Sequence, residues 1–182
     1  GIGSSLWGGM SGTINIDGNA DVTATSNSGA GIGSGNDSDV TKTGTINIGG
    51  NAKVFAFSKY DGAGIGGGNE GNMNGTINIR GNAKVIAASG RKGAGIGAGA
   101  IAEDENRNAQ GGNMSGTITI DGNATVNASA GNKYGAGIGT GRVRTWRSPW
   151  MNLDDGGDMS GTITIGGNAK VTAKSEGSAA GM

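Results

Sequence analysis

Apolar and polar residues alternate along short stretches that recur five times in the chain. In the sequence GTINI from Gly12 the isoleucines alternate with polar residues. In GNADVTA from Gly18 the alanines and the valine do the same. A period of two residues is typical of a β-strand with one buried face. The pattern therefore predicts an all-β chain built from short strands.

Three phrases recur in a fixed order, which identifies the chain as a repeat protein. The phrase GIG begins at Gly1, Gly31, Gly64, Gly95 and Gly137; GTI[NT]I begins at Gly12, Gly44, Gly75, Gly116 and Gly161; GNAxV begins at Gly18, Gly50, Gly81, Gly122 and Gly167. The first isoleucine of the second phrase stands 8 residues before the valine of the third in every copy, from Ile14 and Val22 to Ile163 and Val171. This constant spacing predicts one fixed turn between the second and third strands.

No single repeat has enough apolar surface for a core, so the repeats must stack and bury their apolar residues against one another. Stacking predicts three interior columns: Ile14, Ile46, Ile77, Ile118 and Ile163; Ile16, Ile48, Ile79, Ile120 and Ile165; and Val22, Val54, Val85, Val126 and Val171. The predicted fold is a parallel β-helix, or β-solenoid, of five coils with about 30–45 residues and three short strands each. Crossover chirality predicts that it is right-handed.

The repeat boundaries divide a single β-solenoid, residues 1–182, into coils at 1–29, 30–62, 63–93, 94–135 and 136–179, with the start of a further coil at 180–182. No polar capping segment stands at either end. Uncapped solenoids expose sheet edges that add further strands. We therefore expect either a segment of a longer array or chains that stack end to end as a filament.

The turn GNA places one asparagine of each coil in register: Asn19, Asn51, Asn82, Asn123 and Asn168. Glycine supplies the positive φ of the turn, and a stacked asparagine can donate hydrogen bonds to the backbone of the next coil. These residues are predicted to form a structural asparagine ladder and not a ligand site.

Composition narrows the possible functions. Gly accounts for 42 of 182 residues, but without the three-residue period of collagen, and the regular Ile and Val columns argue against disorder. Lys+Arg and Asp+Glu are 14 each, so no net charge favours nucleic acid or anionic lipid as a partner. No apolar run approaches the roughly 20 residues of a membrane span, so membrane insertion is not expected either. With no His and no Cys, the chain lacks the Ser-His-Asp triad, histidine bases and thiolate chemistry. We expect a protein that is not an enzyme.

The phrases GAGIG, GTITI and GNAxVxA resemble the glycine-rich repeats of large secreted and wall-anchored proteins of Gram-positive, often gut-dwelling, bacteria. They are also loosely similar to carbohydrate-binding parallel β-helix modules. The resemblance covers residues 1–182 and implies an extracellular or cell-wall-anchored stalk, adhesin or glycan binder. Carbohydrate-binding members of that kind can bind calcium through acidic turns. Here the matching positions are Asp17, Gly49, Arg80, Asp121 and Gly166, so no metal or other cofactor is expected.

The repeat is broken at one corner, where the interval between the isoleucines of the first and second phrases lengthens. It is 12 to 14 residues in the first three coils, 22 in the fourth and 25 in the fifth, so the two long loops must emerge side by side. Insertions on one face of a solenoid often form its binding face. The residues predicted to bind a glycan or a host or cell-surface protein are Trp146, Trp150, Arg142, Arg144, Arg147, Asp154, Asp155, Glu103, Asp104 and Glu105. Alternatively, the arginines of one loop pair with carboxylates of the other while the tryptophans pack over the wall of the solenoid.

Two outward faces offer further hypotheses. Thr13, Thr45, Thr76, Thr117 and Thr162 form an outward column that resembles ice-binding solenoids, which makes ice binding an alternative function. Phe55, Phe57 and Ile86 fall at outward positions on two neighbouring third strands, beside Lys53 and Lys84. Exposed apolar clusters of this kind can mark lateral contacts.

Overall fold

A computed structural model describes residues 1–36, 43–100, 112–131, 134–141, 156–177 and 179–181. Each coil contributes three strands. In chain order these are β1 (Ile2–Gly3), β2 (Met10–Ile16), β3 (Asp21–Ser26), β4 (Ile32–Gly33), β5 (Thr43–Ile48), β6 (Lys53–Ser58), β7 (Ile65–Gly66), β8 (Thr76–Ile79), β9 (Lys84–Ser89), β10 (Ile96–Gly97), β11 (Thr117–Ile120), β12 (Thr125–Ala130), β13 (Ile138–Gly139), β14 (Thr162–Ile165) and β15 (Lys170–Ser175). In the part of the chain so described, no helix is long and apolar enough to cross a membrane.

The strands form three parallel sheets of five strands. The first sheet has the order β1-β4-β7-β10-β13, the second β2-β5-β8-β11-β14, and the third β3-β6-β9-β12-β15. Every strand pairs with the equivalent strand one coil away, so the chain winds as a parallel β-helix of five coils. The predicted fold class is confirmed, and right-handed winding stays a prediction from crossover chirality.

The interior is built from the predicted columns. Ile14 pairs with Ile46, Ile46 with Ile77, and the pairing continues through Ile118 to Ile163. The second isoleucine column and the valine column keep the same register. In the middle three coils these side chains are almost fully buried. Each contributes roughly 1.5–3 kcal/mol of burial free energy before conformational entropy is subtracted.

A column of methionines extends this core beyond what the alternating pattern predicted. Met10, Met73 and Met114 are buried, and Met73 and Met114 pair with their counterparts one coil on. Met73 and Met114 lie just before the second sheet and Met10 is the first residue of β2, at positions where no period-two alternation is visible in the sequence. Methionine fills irregular gaps because its side chain is flexible, which suits the corner between the first and second sheets.

The first phrase of each repeat is a two-residue strand of the first sheet, and in coils two to five a backbone hydrogen bond closes it into a compact loop. In the second coil the N–H of Ala30 donates to the carbonyl oxygen of Ser34 at 3.0 Å, and the next three coils repeat this bond. The second glycine of the phrase has a positive φ, +128° at Gly66. A methyl group at Gly66 would overlap the carbonyl oxygen of Gly97 in the next coil. Only glycine satisfies both the backbone conformation and the close approach.

The substitution Gly66→Ala tests this requirement. We expect a loss of at least about 2 kcal/mol in the free energy of unfolding, because strained φ and a backbone overlap add. Gly12→Ala is the matched control, since nothing lies within 4 Å of the added methyl group there. Urea unfolding followed by circular dichroism measures both variants. Equal stability of the two would contradict the packing described here.

Candidate functional site

The residues of the predicted ligand-binding patch lie outside the described residues. Glu103, Asp104 and Glu105 fall within 101–111, and Arg142, Arg144, Trp146, Arg147, Trp150, Asp154 and Asp155 fall within 142–155. The structure does describe the points at which both loops leave and rejoin the β-helix. The geometry of these bases can therefore be compared with the expectation that the loops emerge together.

The bases of the two long loops are in direct contact. The fourth-coil loop follows buried Ala100, and the fifth-coil loop follows Gly141. A methyl group at Gly141 would overlap the carbonyl oxygen of Gly99, so the two departure points touch. Where the loops return, the N–H of Asp158 donates to Oδ1 of Asn113 at 2.8 Å. Both loops therefore leave and rejoin the β-helix at the same corner of neighbouring coils.

A polar column that the sequence reasoning missed anchors these bases. The N–H of Asn113 donates to Oδ1 of Asn72 at 2.7 Å, one coil below the bond from Asp158 to Asn113. Each of the three residues precedes a methionine: buried Met73 and Met114, and Met159, which pairs with Met114 and is 51% exposed. The recurring Asn-Met or Asp-Met pair before the second phrase was the available signal. These hydrogen bonds align the residue at which each long loop returns, Asn113 or Asp158, with Asn72 at the end of the short loop of coil three.

The predicted asparagine turn residues form a continuous ladder of side-chain hydrogen bonds. Nδ2 of Asn51, Asn82, Asn123 and Asn168 donates to Oδ1 of the asparagine one coil earlier, at 3.0, 3.0, 3.1 and 3.2 Å. The amides bond to one another, because parallel register places each amide directly over the next. The five side chains are exposed. Their preceding glycines have φ between +60° and +72°.

The threonine face on the second sheet is in register along all five coils, from Thr13 to Thr162. Beside it lies a second ladder that the sequence reasoning did not identify. Nδ2 of Asn47 donates to Oδ1 of Asn15 at 2.8 Å, and Asn78 donates to Asn47 at the same distance. Coils four and five have threonine in this column. A double threonine array therefore spans two coils only.

Carboxylates at the turn before the third sheet stabilise the local backbone. Asp17 accepts a hydrogen bond from the N–H of Gly18 at 2.7 Å, and Asp121 accepts one from Gly122 at 2.6 Å. Arg80 occupies the same turn in coil three, and its guanidinium lies 3.5 Å from Oδ1 of Asn78. Over the described ranges, no three acidic residues come together to hold a metal ion.

Comparison with protein families supports the repeat architecture. A family model described as a β-helix repeat matches residues 14–36, 77–100 and 118–142. Each match starts at an isoleucine of the second sheet and runs through the third sheet into the first phrase of the next coil. No curated protein and no solved structure matches the chain significantly. These three segments are similar to β-helix repeats, in agreement with the register of the sheets.

The asparagine ladder at the turn makes a graded stability prediction. Asn82→Ala removes two side-chain hydrogen bonds, whereas Asn168→Ala removes the single bond that the described ladder gives Asn168. At about 0.5–1 kcal/mol per exposed bond, we expect Asn82→Ala to lower the free energy of unfolding about twice as much as Asn168→Ala. Chemical denaturation of both variants measures the ratio. A larger loss for Asn168→Ala would contradict a ladder in which each rung contributes.

Proposed function

We propose that this chain is a non-catalytic stalk segment of an extracellular or cell-wall-anchored bacterial surface protein, an adhesin that presents two long loops from coils four and five. The observation that carries the proposal is the contact between the loop bases at Gly141 and Gly99. Two adjacent insertions on a regular rod create a local surface that the other coils do not have. In solenoid proteins such insertions are a common place for binding.

The rod is suited to hold such a surface in a fixed position. Backbone hydrogen bonds join every coil to the next, and two side-chain ladders run along the outside of the sheets. Loops positioned by a rigid scaffold lose less conformational entropy when they bind a partner. A stalk of this kind keeps its function as long as neighbouring coils remain stacked.

The residue types in the loops favour a glycan or a protein of the host or cell surface as the partner. Trp146 and Trp150 offer aromatic surfaces, and three arginines stand on the same loop. Tryptophan and arginine are enriched among residues that dominate binding energy. Arginine also forms paired hydrogen bonds with carboxylates. In this proposal the arginines meet carboxylate groups of the partner, and the acidic residues of the fourth-coil loop help to orient the fifth-coil loop.

Replacement of the fifth-coil loop tests the proposal. Residues 142–156 are exchanged for the dipeptide Asn69-Glu70, which joins the equivalent points of coil three. A milder variant carries Trp146→Ala and Trp150→Ala. We expect both to unfold at nearly the same denaturant concentration as the parent chain, and to lose at least about tenfold in affinity for the partner.

Binding is measured on a glycan array and on extracted surface proteins, with the parent chain alongside. The expansion in coil four is left intact as the internal control. If both variants bound the partner as tightly as the parent chain, the proposal that the fifth-coil loop binds the partner would be overturned. It would also be overturned if both variants lost affinity equally and were destabilised to the same degree.

End-to-end self-association is the second candidate function, and the register of Gly181 favours it. The N–H of Ile138 donates to the carbonyl oxygen of Gly181 at 3.0 Å, as the N–H of Ile96 donates to Gly137. Gly181 thus continues the glycine column by one rung. A rung added in this register can come from a second copy of the chain, and it then joins the two copies end to end through their sheets.

Sedimentation of the chain over a range of concentrations measures this association. We expect oligomers that grow with concentration, and a smaller average mass for Ile165→Lys, because a charge on an edge strand opposes pairing. Thr172→Lys, an outward substitution on the neighbouring strand, is the charge-matched control. A monomer at every concentration would contradict self-assembly. Ice binding is the weaker alternative, since a double threonine array spans only coils four and five.

A further inference from the structure

The charges of this neutral chain are distributed unevenly around the rod. The described residues include eight Lys and Arg, and seven of them lie on the third sheet or within three residues after one of its strands. They are Lys53, Lys59, Lys84, Arg91, Lys92, Lys170 and Lys174. In coils two and three the corresponding stretches hold five of these cations and one acid, Asp61, which is buried. In coils two and three this side of the rod therefore attracts anions, whereas the same stretches of coils one and five also hold the acids Asp21 and Glu176.

Exposed apolar side chains stand in the middle of these cations. Phe55 and Ile86 are register partners on β6 and β9, and they are 39% and 48% exposed. Phe57 lies two residues further along β6, and its ring is 6.4 Å from that of Phe55 with 25° between the planes. The two rings thus form a nearly continuous surface along the strand.

The fold does not require aromatic or aliphatic residues at these positions. The column of Phe55 and Ile86 has Thr23 in coil one and Asn127 in coil four. The column of Phe57 has Thr25 in coil one. Threonine also favours strands, so strand propensity alone does not explain an exposed apolar surface confined to two coils. Such patches commonly mark binding surfaces.

Two cations are held at the end of this apolar surface. Nζ of Lys59 and Cζ of Arg91 lie 5.1 and 5.2 Å from the centre of the Tyr60 ring, within the range of cation–π contacts. Next to them is a groove of about 430 Å³ between coils one and two. Its lining is Thr25, Ser26 and Asn27 on one side and Phe57 and Lys59 on the other. The groove combines hydrogen-bonding groups, an aromatic ring and a positive charge.

We propose that this surface, the basic aromatic patch formed by Lys53, Phe55, Phe57, Lys59, Lys84 and Ile86, binds an acidic polysaccharide. A sugar ring presents an apolar face to an aromatic side chain and hydroxyl groups to polar side chains. Carboxylates on successive sugars meet lysines on successive coils, which repeat at about 4.8 Å along the rod. The patch thus matches a carboxylated sugar polymer in polarity, charge and repeat.

The shape of the patch favours a polysaccharide over a peptide. Peptides commonly bind by adding a strand to a sheet edge or by placing a helix in an apolar groove. The patch is on the face of the third sheet, and the edges of that sheet, β3 and β15, belong to coils one and five. Its groove is lined mostly by polar groups. The patch is also in different coils from the long loops, so this inference does not depend on the loop proposal.

Binding of polygalacturonate, with neutral dextran as the comparison, tests the inference. One variant carries Phe55→Thr and Phe57→Thr, the residues that coil one has in the same columns, and a second carries Lys53→Thr and Lys84→Thr, as in coil four. We expect each to bind polygalacturonate at least about tenfold more weakly than the parent chain. The lysine variant should also show a weaker dependence on salt, because it forms fewer ion pairs.

The control removes two charges from the same sheet outside the patch, through Lys170→Thr and Lys174→Ser. It should retain polygalacturonate affinity within about threefold, because screening weakens distant charges. Circular dichroism and denaturant unfolding establish that all variants are folded. The patch substitutions should cause the same loss of polygalacturonate affinity in the chain with residues 142–156 replaced as in the parent chain, which separates this result from the loop proposal.

Several results would overturn the inference. These are no polygalacturonate binding at low salt, equal binding of dextran, or the same loss of affinity in the control as in the patch variants. Polyglutamate and an oligothymidine are tested as competing ligands. If one of them bound as tightly as polygalacturonate, and the patch variants lost affinity for it equally, the proposed partner would be an acidic protein or a nucleic acid instead of a polysaccharide.

Discussion

Parallel pairing of each strand with its own counterpart one coil away is the interaction on which the rest of the structure depends. Because side chains alternate between the two faces, a shift of one residue would move all the isoleucines of a strand to solvent. The fixed register places Ile77 between Ile46 and Ile118, and it also brings the amides of Asn51, Asn82 and Asn123 into hydrogen-bonding distance. The buried isoleucine column and the exposed asparagine ladder therefore favour the same register of strand pairing.

The isoleucine and valine columns and the asparagine ladder at the turn were predicted from the sequence, whereas the methionine column and the second asparagine ladder were missed. The isoleucine and valine columns were visible because alternation reveals the buried face of a strand. The methionine column was not, since Met73 and Met114 lie at a corner where the backbone turns. The ladder of Asn15, Asn47 and Asn78 was missed, because its bonds depend on side-chain conformation.

For the long loops of coils four and five, the sequence predicted the position on the rod but not the conformation. Their lengths relative to the other coils predicted the shared corner, and the contacts between Gly99 and Gly141 and between Asn113 and Asp158 agree with it. The order of residues inside the loops follows no repeat, so no neighbouring coil supplies a template for their conformation. The basic aromatic patch is different, because each of its positions has a counterpart in other coils against which Phe55 and Ile86 stand out.

The tight first phrase also bears on where such a protein can gain new sequence. At Gly66 and its counterparts the backbone of one coil touches that of the next, so a side chain is excluded. The turn before the third sheet has the same length in all five coils. The largest differences in length between coils fall at the corner that follows the first phrase. In coil three this corner is closed by Asn69 and Glu70, which makes it a natural point for grafting a foreign peptide without disturbing the repeat.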